Sequence, residues 1–76
     1  MENTLKEIIA RIAELQKDFS GADLLRDDLE IDSFRMAEIA FEIERVFEIR
    51  LPDEKYAETR TMDDILKLIV GIKEAP

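Results

Sequence analysis

The chain has 76 residues, 46% hydrophobic and 39% charged, with 19 acidic against 11 basic residues and a net charge of −8. That length holds one small domain, residues 1–76, with enough apolar content to fold rather than remain a disordered polyelectrolyte. The acidity argues against nucleic acid or anionic membrane as a partner, because phosphate contacts need clustered Lys and Arg.

Cysteine and histidine are both absent. Their absence removes disulfides, thiolate metal sites and the commonest nucleophiles, general bases and zinc ligands, leaving carboxylates, hydroxyls, Lys, Arg and Tyr56 for chemistry. A self-contained enzyme is therefore not expected, and partners with basic patches are favoured. The N-terminus, Met1 to Glu7, has neither the basic nor the apolar stretch of a secretory leader, and no apolar run approaches a membrane span. The cytoplasm is the expected location, with no direct membrane binding.

In chain order, Leu5, Ile8, Ile9 and Ile12 keep helical spacing and predict a first helix from Thr4 to about Lys17. From Asp18 to Asp32 the periodicity is lost, and a loop pinned by Leu24, Leu25, Leu29 and Ile31 is expected, with room for one short helical turn. Asp32 or Ser33 can cap the second helix. That helix runs from about Phe34 to Phe47 with a core stripe of Met36, Ile39, Ala40, Ile43, Val46 and Phe47. Pro52 ends the next segment, and Asp53 to Ala57 suffices for a turn or so of a third helix. Thr61 with Asp64 three residues on is a capping-box pattern opening a last helix, which carries Ile65, Leu68, Ile69 and Ile72. Nothing alternates with period two. The expected fold is all-α, a small four-helix bundle of three longer helices and one short third one, with a long first loop and no sheet.

Phe34 and Phe41 lie two turns apart on the face of the second helix opposite its core stripe, with Ala37 between them. Within a rim of Glu38, Glu44, Arg45 and Glu48 they form an aromatic ridge with the anatomy of a binding patch. The competing expectation is that Phe34 folds back on the loop leucines as a hydrophobic staple. The acidic loop fails as a calcium site, because an EF-hand frame begun at Asp28 puts Ser33 where Gly is required and Ile39 where the terminal Glu belongs. No metal site is expected. Crowding of Asp23, Asp27, Asp28, Glu30 and Asp32 is expected to raise their folded pKa values, so that stability falls as pH rises through their range.

The most informative stretch is Asp28-Leu29-Glu30-Ile31-Asp32-Ser33-Phe34. A serine at a helix N-terminus meets positive partial charge that favours an attached phosphodiester. At these residues the chain resembles the acyl and peptidyl carrier proteins, whose hallmark is an Asp-Ser-Leu tripeptide opening the second helix of a four-helix bundle. The likeness takes in Glu38, Phe47, Leu51-Pro52-Asp53-Glu54 and Thr61, and so spans nearly the whole chain. It implies covalent phosphopantetheine on Ser33, transferred from coenzyme A by a phosphopantetheinyl transferase, with Asp32 helping to hold that enzyme's metal ion. The arm brings its own thiol, which suits a chain with no cysteine.

The resemblance further implies partner contacts through Phe34, Arg35, Ala37, Glu38, Phe41, Glu44 and Arg45, made with acyl- or aminoacyl-loading and transfer enzymes. It also implies a cargo pocket among Ala40, Ile43, Leu51, Tyr56, Thr59 and Ile65, positions that equally suit the plain core of a bundle. Glu30 stands where fatty-acid carriers often have Gly, Phe34 where they have Leu, and Arg35 and Arg45 where they are usually acidic. These departures imply a specialised pathway of fatty-acid, lipid or polyketide metabolism. Asp-Ser-Phe also occurs in D-alanyl carriers, so an aminoacyl cargo is the alternative. An interaction module with Ser33 as a mere cap is the alternative of another class. A monomer is expected.

Overall fold

A computed structural model describes residues 1–75 as four helices: α1 (Glu2–Ile12), α2 (Ser33–Phe47), α3 (Asp53–Ala57) and α4 (Met62–Glu74). The expected four-helix, sheet-free architecture is what forms. Among the described residues the only β-type pairing is an isolated antiparallel bridge between Leu24 and Thr61, which ties the long loop to the start of α4. The core draws Leu5, Ile8 and Ile9 from α1, Ile39, Ile43 and Phe47 from α2, and Met62, Ile65 and Ile69 from α4. Phe19, Leu25, Ile31 and Leu51 close it from the connections.

α1 ends five residues before the expected Lys17. Glu14 enters the left-handed region at φ 55°, its N–H reaches the Arg11 carbonyl, and the Leu15 N–H reaches back to the Ala10 carbonyl at 3.0 Å. That paired pattern is a Schellman stop. Because Glu rather than Gly occupies its left-handed position, nothing in the sequence signals it. The stop turns the chain so that Phe19 reaches the core, where the Lys6 ammonium lies 5.2 Å from its ring centroid and pairs with Asp18 at 2.8 Å.

α2 follows the expected stripe except at Val46, which is 38% exposed. It sits about 60° off the stripe's centre at Ile43 and in the last turn, so the neighbouring helices do not cover it. α4 opens on the expected capping box. Thr61 Oγ1 accepts from the Asp64 N–H at 3.1 Å, and Asp64 Oδ2 accepts from the N–H groups of Thr61 and Arg60 at 3.2 and 2.9 Å. Thr61→Ala leaves one first-turn amide without its partner and is expected to lower stability by about 1 kcal/mol. A lower urea midpoint at unchanged slope is the readout, and an unmoved midpoint would show the box to be redundant.

Candidate functional site

The site is built at the start of α2. Ile31 is buried and its N–H bonds the Leu25 carbonyl at 3.0 Å, while the Leu25 N–H bonds the Arg60 carbonyl at 2.9 Å. Leu25 and Ile31 thus pin the loop; Leu29 is half-buried, and Leu24 lies at the surface. Glu30 adopts φ 55°, a left-handed conformation that glycine tolerates best.

Of the two candidate caps, Asp32 takes the role, its Oδ1 accepting from the Arg35 N–H at 2.8 Å. Ser33 is therefore the first helical residue, exposed, with its hydroxyl not used as the cap.

From Ser33 an open groove of about 420 Å³ runs along α2, floored by Met36, Ala37 and Ala40 and walled by Phe41, Tyr56 and Ala57. Its volume falls within the roughly 300–1,000 Å³ of small-molecule sites. Arg26 joins the lining near Ala57, beside which it also lines a neighbouring hollow; Glu44 and Asp53 close the opposite end.

The six positions implied for cargo divide. Ala40 and Tyr56 line the groove, Leu51 is buried and edges a separate hollow beside Glu44 and Asp53, and Ile43 and Ile65 are 0% exposed, filling the core. Thr59 lies in the hollow beside Arg26, its hydroxyl donating to the Tyr56 carbonyl at 2.6 Å.

The outer face of α2 carries the aromatic ridge. Phe34 and Phe41 are 70% and 76% exposed and Ala37 is exposed between them, so Phe34 is not a staple on the loop. Around them, Glu44 Oε2 accepts from the Leu51 N–H at 2.7 Å and Glu38 is half-buried, 3.9 Å from the Arg35 guanidinium.

Arg35 turns away from the ridge. Its guanidinium donates to the Ile12 carbonyl at the end of α1 and to Glu14 Oε2 at 3.0 Å, clamping α1 to α2. Arg45 keeps an exposed side chain while donating to both Glu42 oxygens at 2.9 Å, and Arg11 reaches the same carboxylate at 2.7 Å.

Three carboxylates, Glu42, Asp18 and Asp64, are shifted down. Glu42 falls to about 2 because Arg45 and Arg11 donate to it. Asp18 is lowered by its bond from Lys6, and Asp64 by the backbone N–H of Arg60. Within the acidic loop, Asp23 accepts from the Ser20 N–H at 2.8 Å and Asp28 from the Leu24 N–H at 2.7 Å, so these acids serve as turn caps. Among the described residues no group of three or more acidic side chains is placed to hold a metal ion, and no helix is long and apolar enough to cross a membrane.

A short helical bundle that presents an uncommitted serine at a helix start beside an apolar groove has the form of a carrier domain. The family of the phosphopantetheine attachment site matches residues 3–69. The meromycolate extension acyl carrier protein of Mycobacterium leprae is 37% identical over 82 residues, covering 97% of this chain and 71% of the relative. An acyl carrier protein of Rhodococcus erythropolis is 35% identical, covering 91% and 85%. The solved structure of a Mycobacterium tuberculosis protein described as an acyl carrier superposes with a TM-score of 0.86 at 23% identity, covering 91% of this chain and 93% of that one, a likeness of fold. The chain belongs to the phosphopantetheine attachment-site family, as an acyl carrier protein rather than an enzyme. Its cofactor is phosphopantetheine, and membership implies dealings with a phosphopantetheinyl transferase and with biosynthetic enzymes.

Two features of the site have no signal in the sequence. Arg26 is one of several basic residues in the chain, and no spacing marks it as the one that lines the groove with Ser33. Tyr56 is expected at the pocket, but the bond from its hydroxyl to the Met36 carbonyl depends on how α3 is placed.

Proposed function

We propose that this acyl carrier serves a specialised lipid-building pathway, with Ser33 as its point of attachment. The observation that carries the assignment is the division of labour at the start of α2. Asp32 caps the helix and leaves the Ser33 hydroxyl exposed at the head of an apolar groove. A phosphodiester on Ser33 meets the positive end of a helix of 15 residues, which offsets the charge of Asp32, and Arg26 adds a positive charge to the lining of the same groove. The apolar floor beyond suits an aliphatic arm and cargo. When bound, the arm supplies the thiol that carries an acyl group as a thioester.

The pathway reading is supported by relatives named for meromycolate extension. The exposed Phe34, Ala37 and Phe41 ridge, with Glu38, Glu44 and the outward Arg45, is the surface offered to partner enzymes, a hydrophobic centre in a charged rim. Arg35 supports that surface from behind by holding α1.

The test is intact mass and peptide mapping after incubation with a broad-specificity transferase and coenzyme A. Wild type is expected to gain one phosphopantetheinyl group on the peptide containing Ser33, and Ser33→Ala none. An unmodified wild type, or a mutant modified equally, would overturn the assignment.

A further inference from the structure

α3 is the least anchored element of the bundle. None of its five residues is buried, and it packs on α4. Its reach toward α2 runs through Tyr56, whose hydroxyl donates to the Met36 carbonyl at 2.7 Å and whose ring packs against the core under the groove. The Met36 carbonyl lies inside α2, where the helix already uses it as an acceptor. Releasing the phenol therefore leaves no orphaned group on α2, and the hydroxyl can turn to water. The bond is reversible by construction. Tyr56 and Met36 both line the groove that starts at Ser33, so whatever occupies the space beside Met36 and Ala40 must meet the tyrosine side chain.

We propose that Tyr56 is the specificity-determining residue of the groove, a latch that holds α3 on α2 and admits short acyl cargo without opening but long aliphatic cargo only by being displaced. Beneath the groove, Ile39, Ile43 and Ile65 are fully buried, so there is no ready-made chamber for a long chain. An acetyl group adds almost no apolar length and stays outside. A palmitoyl chain gains by leaving water, and of the two helices that line the groove α3 is the one with no buried residue. Burial also pushes the Tyr56 phenol above its ordinary pKa, so it stays a hydrogen-bond donor at neutral pH. The inference rests on Ser33 bearing the arm.

The chain has one tyrosine and no tryptophan, so phenol absorbance and emission report on Tyr56 alone. Wild type and Tyr56→Phe are loaded by the transferase from acetyl- or palmitoyl-coenzyme A. Intact mass is recorded first, then tyrosine spectra and amide hydrogen exchange across residues 53–59.

In the unloaded protein Tyr56→Phe is expected to speed exchange in that segment about fivefold, the effect of losing one ordinary hydrogen bond. Acetyl loading of wild type leaves spectra and exchange as in the unloaded chain. Palmitoyl loading shifts the tyrosine spectrum and raises exchange to the level of the Phe variant. A mass that does not rise overturns the Ser33 assignment and this inference with it. A chain that loads fully but shows the same tyrosine signal and α3 exchange with both cargoes overturns the latch alone. So does a Phe variant whose unloaded α3 exchanges at the wild-type rate.

Discussion

Ile43→Ala is expected to destabilise the protein by about 2–5 kcal/mol, whereas Phe41→Ala, two residues away and a larger truncation, should stay within about 0.5 kcal/mol of wild type. Ile43 is 0% exposed at the centre of the α2 stripe, so its truncation removes buried apolar atoms and leaves a void that the surrounding isoleucines fill only in part. Phe41 is 76% exposed and contributes little burial to lose. For a domain this small the expected loss at Ile43 is a large share of total stability, and its thermal midpoint should fall by roughly 4–8 °C per kcal/mol. Phe41→Ala is instead expected to weaken partner binding, because an exposed aromatic in a charged rim is the type of residue that anchors an interface. Equal midpoint losses for the two variants would show that the ridge belongs to the core.

Much of the fold was legible because apolar periodicity and cap chemistry act locally. The stripe of Ile39, Ile43 and Phe47, the Thr61–Asp64 box and the short segment after Pro52 all read from spacing, and the opposed faces of α2 placed Phe34 and Phe41 outside. What could not be read were features set by backbone conformation or by distant pairing. Three glutamates, Glu14, Glu30 and Glu48, hold left-handed backbone where glycine is the usual signal, and one of them hid the end of α1. At the site, Asp-Ser named both candidate caps but not which one served, a matter of one hydrogen bond from the Arg35 N–H.

Lining and filling of the cargo region differ only in how deeply the packed helices bury each side chain, so Ile43 and Ile65 could not be separated from Ala40 and Tyr56 by spacing. The role of Arg35 required knowing that Glu14 stands opposite it, and that of Glu42 that Arg11 of α1 joins Arg45, its neighbour on α2, at the same carboxylate. Net charge gave no sign that Glu42, Asp18 and Asp64 are shifted down, for the same reason. It counts acids without the cations and amides that face each one.

The acid response takes its sign from these pairings. Glu42 is 18% exposed, flanked by Arg11 and Arg45, and titrates at about 2 instead of its ordinary 4.5. As pH falls below about 5 the unfolded chain takes up the proton before the folded one does, so the unfolded state binds more protons and stability falls with pH. The contribution is fully present above the ordinary carboxylate range and is lost as pH falls through the folded value near 2. Asp18 and Asp64, both lowered, act in the same direction.

The expected result is a thermal midpoint that drops steadily between about pH 5 and pH 2. Glu42→Gln should show a shallower drop together with a lower midpoint at pH 7, where Arg11 and Arg45 have lost their shared charge. Both arginines are well exposed, at 62% and 72%, so added sodium chloride should shrink the difference between variant and wild type at pH 7. A midpoint that rises on acidification would restore crowded acids as the dominant electrostatic effect. A Gln variant with the wild-type slope would place the acid sensitivity elsewhere, on Asp18 or Asp64, where replacing each in turn by asparagine locates it.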